Sequence, residues 1–286
     1  MAVAGFGRVG VVGAGQMGAG IAQVCATSGI DVVLVDLQPA QLEKAKAVIS
    51  KSLAKLVEKA KISSEAQASA LARLSFSSDL EALSRADLVI EAIVENEAIK
   101  RDLFQKLDAM LPAASIIASN TSSIPITRLA SYTKRPDRFI GMHFMNPVPL
   151  MKLVEIISGM ATSADTLQRI QNLSKALDKE TTTSQDYPGF VVNRILMPMI
   201  NEAFYALMEG VASPADIDKG MMLGCNMPMG PLALADFIGL DTCLSIMKVI
   251  HDGTLDPKHR PCPMLAKYVE AGFMGRKSKR GVFTYE

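Results

Sequence analysis

Six residues near the N-terminus constrain the fold of this chain more than any others. Gly13-Ala14-Gly15-Gln16-Met17-Gly18 is a Gly-x-Gly-x-x-Gly turn that follows an apolar run at 9–12 and opens a helical pattern. A second apolar run, Val32-Val33-Leu34-Val35, then ends in Asp36, 18 residues after Gly18. A glycine-rich turn alone is common. The complete strand–turn–helix–strand–Asp unit reads as the start of a Rossmann-type dinucleotide-binding domain. Gly13 permits the tight turn, Gly15 lets the backbone approach a pyrophosphate, and Gly18 lets the helix pack close to the strand. Gln16 and Met17 open the helix, whose N-terminal N–H groups and positive dipole end attract an anion. Asp36 is placed to accept from both hydroxyls of an adenosine ribose and would repel a 2′-phosphate, so NAD is expected over NADP.

The remaining pattern divides the chain of 286 residues in two. Apolar, β-branched runs at 8–12, 32–36, 88–92, 115–119, 139–142 and 152–157 alternate with helical patterns at 17–28, 41–59 and 98–110. Such alternation implies a parallel sheet covered by helices on both faces. After about Asp186 the Val/Ile-rich runs stop, and helical stretches at 189–209, 214–223, 230–252 and 263–271 are separated by Pro and Gly. Tyr187-Pro188-Gly189 is a breaker cluster and a helix start signal. The expected architecture is an α/β Rossmann-type NAD-binding domain over 1–186, followed by a smaller all-α domain over 187–286. Pro198, inside the first helix of the second half, is expected to kink that helix or leave a carbonyl unpaired.

Composition excludes several classes of function. Thirty basic and 29 acidic residues give a net charge of +1, so no global field points to nucleic acid or a membrane surface. No apolar run of membrane-spanning length is present. Seven residues precede the first strand, too few for a signal or transit peptide, so the expected location is the cytoplasm, or the mitochondrial matrix for the mature form of an imported protein. Four dispersed cysteines and three scattered histidines form no zinc-type spacing, and no metal is expected.

Three further segments carry a resemblance. Ala118-Ser119-Asn120-Thr121-Ser122-Ser123, the run from Gly141-Met142-His143-Phe144-Met145-Asn146-Pro147 through Glu155, and Pro188-Gly189-Phe190-Val191-Val192-Asn193-Arg194 resemble the signatures of the 3-hydroxyacyl-CoA dehydrogenases, in their short single-function form. The similarity extends from the glycine turn to Gly281-Val282-Phe283. It implies NAD-dependent oxidation of a short-chain 3-hydroxyacyl-CoA thioester, the reverse reduction, and a homodimer formed through the helical domain. It implies His143 as general base, Glu155 as the residue that orients it, and Ser122, Asn146 and Asn193 around the reacting oxygen and the thioester. It further implies Glu95, Lys100 and Asn120 along the far end of the cofactor, Lys277 as a late cofactor contact, and Ser52 and Lys59 at the CoA moiety.

The chemistry can be weighed against the residues themselves. Oxidising a secondary alcohol sends a hydride to nicotinamide and a proton to a base, a task suited to histidine. Taken alone, a histidine at a strand end is more often structural, and Glu155 beside Lys152 is as readily a surface carboxylate. If their strands pair antiparallel, the two can face each other, giving the orienting half of a triad. Ser122 is read as a donor to the reacting oxygen, since no covalent intermediate is needed; capping is the alternative for Ser122 and for Asn193. Residues 43–61 carry six lysines against two glutamates, and Lys51, Lys55 and Lys59 share a helix face, which reads either as a solvated stripe or as a site for CoA phosphates. Two other readings remain: a dehydrogenase of free 3-hydroxy acids, and a non-enzymatic dinucleotide-binding protein of the same fold.

Overall fold

Runs of Val, Ile and Leu set the centre of the first unit. The computed structural model describes residues 2–286, which divide into two compact units, one ending at Tyr187 and the other Pro188–Glu286. In the first, eight strands form one sheet: β1 (Arg8–Val12), β2 (Asp31–Val35), β3 (Leu74–Ser77), β4 (Leu88–Glu91), β5 (Ile116–Ser119), β6 (Phe139–Phe144), β7 (Leu153–Ser158) and β8 (Glu180–Gln185). Their order is β3-β2-β1-β4-β5-β6-β7-β8. Every position of β4, β5 and β6 is buried, so both faces of the sheet are covered there. The order reverses at β1 and β4, and in open α/β sheets ligands bind beyond the carboxyl ends of strands at such a switch point. All neighbours are parallel except β6 and β7, which run antiparallel.

The helices of this unit are α1 (Gln16–Thr27), α2 (Pro39–Glu58), α3 (Ser64–Ala72), α4 (Glu97–Met110), α5 (Ile126–Ala130) and α6 (Ala164–Ala176). The sequence patterns omitted α3, α5, α6 and both edge strands. β3 reads Leu-Ser-Phe-Ser and is nowhere fully buried; β8 reads Glu-Thr-Thr-Thr-Ser-Gln and holds no apolar side chain. An edge strand gains its order from ladder hydrogen bonds to one neighbour, which hydrophobic patterning does not reveal.

The second unit is helical: α7 (Val192–Met208), α8 (Pro214–Gly224), α9 (Pro231–Ile238), α10 (Leu240–Thr254) and α11 (Pro263–Glu270). Pro214, Pro231 and Pro263 each open a helix, where the missing N–H costs nothing. Met197, Ile200, Phe204, Leu232, Leu240, Met247 and Leu265 form its core. The expected single helix over 230–252 is in fact two, because Gly239 takes φ 106°, which a helix cannot accommodate. α7 continues through Pro198.

The close approach of α1 to β1 is decided at Gly18, where an added Cβ would collide with the carbonyl oxygen of Gly13. Backbone cannot yield as a side-chain tip does. Gly18→Ala is expected to destabilise the first unit by about 1–3 kcal/mol, read as a lower urea midpoint with an unchanged slope.

Candidate active site

The glycine turn closes tightly beneath and stays open above. Gly13 has φ +101°, and a Cβ there would press on the Ala92 carbonyl at the end of β4. A Cβ at Gly15 would meet nothing within 4 Å. α1 begins with Gly15 as N-cap, with no side-chain cap and no acidic residue in its first turn. Its leading N–H groups therefore form a cradle for an anion above an open backbone. Asp36 stands at the rim: one carboxylate oxygen accepts from the Ala14 N–H at 2.8 Å and the other from the Gln38 N–H at 2.9 Å. A turn that only glycine can pave, a bare helix N-terminus and a carboxylate fixed beside them fit the pyrophosphate and ribose of NAD. Gln16 and Met17 follow at the helix start, exposed and half-buried respectively.

Three strands along the sheet from β1, the antiparallel register of β6 and β7 sets His143 directly opposite Glu155. The His143 Nδ1 lies 2.8 Å from Glu155 Oε2, and its Nε2 lies 3.1 Å from the Ser122 Oγ. Glu155 has no solvent exposure and His143 only 7%. A carboxylate can only accept, so the shared proton is assigned to Nδ1, and Nε2 is the acceptor that faces the Ser122 hydroxyl. Asn120 braces the neighbouring strand ends, its Oδ1 accepting from the Phe144 N–H at 2.9 Å.

Glu95 and Lys100 meet close by. Lys100 is 1% exposed, with its Nζ 2.5 Å from Glu91 Oε1 and 3.1 Å from Glu95 Oε2. Partial burial opposes charge on Glu95, but Lys100 and the hydroxyls of Thr121 and Ser123 outweigh it and hold the carboxyl below the usual range.

Gln16, Ser52, Lys59 and Asn146 line one cavity of about 490 Å³ between α1, α2 and the β6–β7 loop. From the lysine stripe it takes Lys55 and Lys59, and it adds Lys61; Val48, Leu56, Val148 and Leu150 supply apolar wall. Gln16 donates from Nε2 to Asn146 Oδ1 at 2.9 Å, joining the glycine turn to the loop after β6. The Asn146–Pro147 peptide is cis. Asn193 and Lys277 belong to the helical unit. Asn193 is buried in the first turn of α7, and Lys277 is ion-paired with Asp241 at the start of α10.

Sequence reasoning passed over Glu91 and Lys179. Glu91 is completely buried and accepts from Ser119 Oγ at 2.6 Å as well as from Lys100. A charged residue that ends the apolar run Leu-Val-Ile-Glu, with a lysine nine residues on, was the available signal. Lys179 is 7% exposed and donates to the carbonyls of Val148 at 2.6 Å and Met151 at 2.8 Å, clamping the loop that walls the cavity. Burial and the nearby Lys152 lower its pKa. Nothing in its local sequence marked it.

Comparison with known proteins gives this geometry a family. Residues 8–187 match the model of the 3-hydroxyacyl-CoA dehydrogenase NAD binding domain, and residues 189–285 match that of the C-terminal domain. A 3-hydroxybutyryl-CoA dehydrogenase of Bradyrhizobium diazoefficiens is 55% identical over 278 residues, covering 97% of this chain and 95% of that protein. The mitochondrial hydroxyacyl-coenzyme A dehydrogenase of Homo sapiens is 44% identical, covering 98% and 91%. The crystal structure of (S)-3-hydroxybutyryl-CoA dehydrogenase from Ralstonia eutropha superposes with a TM-score of 0.97 at 52% identity, over 98% of this chain and 99% of that one. With both family domains matched in order along nearly its whole length, the chain belongs to the 3-hydroxyacyl-CoA dehydrogenases, a family of NAD-dependent oxidoreductases.

Proposed function

We propose that the protein oxidises (S)-3-hydroxybutyryl-CoA to acetoacetyl-CoA with NAD and catalyses the reverse reduction. The observation that carries this reading is the chain Ser122–His143–Glu155, which joins the turn after β5 to facing positions of β6 and β7 on the same sheet as a dinucleotide cradle. Relatives with this activity in their names, more than half identical over nearly the full length, supply the substrate.

In this reading the substrate's 3-hydroxyl gives its proton to the Nε2 of His143. Glu155, hydrogen-bonded to Nδ1, stabilises the imidazolium that results and prevents the ring from turning. Ser122 then directs its hydroxyl to the reacting oxygen, where a donor is most valuable as negative charge develops. Asn146 and Asn193 hold the oxygen and the thioester. Bound NAD would supply the acceptor for the hydride that leaves C3, while the electron pair of the broken O–H bond closes the C3–O carbonyl. Gly13, Gly15, Gln16, Met17 and Gly18 hold the pyrophosphate and Asp36 the ribose; Glu95, Lys100, Asn120 and Lys277 serve the rest of the cofactor site. Ser52 and Lys59, with Lys55 and Lys61, receive the CoA phosphates in the lysine-walled cavity.

The expected assembly is a homodimer through the helical unit, where Val211, Leu223 and Phe237 are exposed. We place it in the cytoplasm. All four cysteines are free, and burial pushes the Cys25 and Cys243 thiols up to about 12, where they are inert. Among the described residues, no helix is long and apolar enough to cross a membrane.

The first test mixes protein with NADH and acetoacetyl-CoA and follows NADH absorbance, with free acetoacetate and NADPH in parallel. Rapid loss is expected only with NADH and the thioester. His143→Gln is expected to reduce kcat by roughly 10²–10⁴ while NADH still binds. Equal rates on free acetoacetate would move the assignment to a dehydrogenase of free acids, and NADH binding without turnover to a non-enzymatic protein. Asp36→Ala removes the ribose acceptor and the repulsion of a 2′-phosphate together. Its preference for NADH over NADPH, measured as the ratio of kcat/KM, is expected to fall at least tenfold, about 1.4 kcal/mol.

A further inference from the structure

Glu95 stands in an arrangement that its expected place along the cofactor does not explain. Its Oε1 accepts from the Thr121 hydroxyl at 2.5 Å, the Ser123 hydroxyl at 2.9 Å, the Ser122 N–H at 3.0 Å and the Ser123 N–H at 3.1 Å. All four donors come from the three residues that carry the turn after β5. The two hydroxyls on either side of Ser122 are taken by this carboxylate, while that of Ser122 itself goes to His143. Glu95 thus sorts three adjacent hydroxyls, turning two inward and leaving the middle one aimed at the imidazole.

The carboxylate is itself held from behind. Its Oε2 lies 3.1 Å from the buried Lys100 ammonium, which also meets Glu91. Glu91 reaches across to β5 through the Ser119 hydroxyl at 2.6 Å, and Ser119 Oγ accepts in turn from the Thr121 N–H at 3.2 Å. A closed circuit therefore runs from the end of β4 through α4 to the turn after β5 and back. Two carboxylates share a single ammonium, and hydroxyl and amide donors offset the remaining negative charge. Charge-assisted bonds are about twice as strong as neutral ones, so this circuit stiffens the Ser122 turn.

We propose that Glu95 is a positioning residue for catalysis: it fixes the Thr121-Ser122-Ser123 turn so that the Ser122 hydroxyl faces His143, with Lys100 as its internal counter-ion. The proposal rests on the dehydrogenase reading for its consequence, not for its geometry. Misplacing a donor by about 1 Å can cost on the order of 10²-fold in rate.

The experiment compares Glu95→Ala and Glu95→Gln with the unmodified protein in three readouts: kcat for acetoacetyl-CoA reduction, Kd for NADH by fluorescence, and amide hydrogen exchange at residues 121–124. Glu95→Ala is expected to lower kcat at saturating NADH by roughly 10–100-fold, a loss that remains whatever happens to the NADH Kd, and to speed exchange at Ser122 and Ser123. Glu95→Gln keeps an acceptor oxygen for the same donors and is expected to recover most of the lost kcat and the protection. Unchanged exchange in Glu95→Ala overturns the proposal whatever the kinetics. So does a tenfold or greater loss of NADH affinity with kcat at saturation intact, which would make Glu95 a cofactor contact alone. Exchange is read without turnover, so an inactive wild-type protein would count against the reaction and not against this positioning role.

Discussion

The antiparallel turn from β6 into β7 is the constraint on which the catalytic geometry depends. In a sheet whose other neighbours run parallel, this one reversal lets two residues twelve positions apart stand directly across a ladder. A parallel partner would need a crossover of a dozen or more residues and would place some other side chain opposite His143. Because side chains alternate across a strand, a slip of one residue would send either partner to the opposite face of the sheet. The hydrophobic pattern prevents that slip: Met142 and Phe144 flank His143, and Val154 and Ile156 flank Glu155, all four buried. Apolar packing on one face fixes the polar pair on the other.

Burial then makes the pair strong and unforgiving. A carboxylate with no solvent exposure must have partners, and truncating one member of such a pair costs about 3–5 kcal/mol because it strands the other. The same condition recurs at the end of β4, where Glu91 and Lys100 are equally enclosed. Both clusters lie where the sheet hands its ordered strand ends to functional loops. Rigid strands hold the buried members, and the less buried ones, Glu95 and Ser122, are positioned by them. This is the arrangement expected when precision must be delivered to a loop from a scaffold.

Legibility in the sequence followed the strength of local physical demands. The glycine turn was readable because backbone sterics leave few residue choices at Gly13 and Gly18. The central strands were readable because burial on both faces requires continuous apolar runs. β8 was not, since six polar residues give no period and the strand exists only through pairing with β7. The break at Gly239 was missed because the flanking pattern is apolar on both sides, and only the positive φ of one glycine separates α9 from α10. At the site, the opposition of His143 and Glu155 followed from their spacing once antiparallel pairing was supposed. The Glu91–Lys100–Glu95 circuit did not, because it joins a strand end, a loop and a helix through side chains nine and five residues apart, with no periodicity to betray it. Lys179 is legible only in three dimensions, from the two carbonyls it holds.

General-base action by His143 depends on the direction in which its ring is poised, with its proton toward Glu155 and its acceptor toward Ser122. Nitrogen-15 NMR of histidine-labelled protein, with the His143 ring assigned by its absence in His143→Gln, reads that direction without substrate or turnover. At a pH where the ring is neutral, a single tautomer protonated at Nδ1 is expected. A ring protonated at Nε2, or one exchanging between both tautomers, would contradict that.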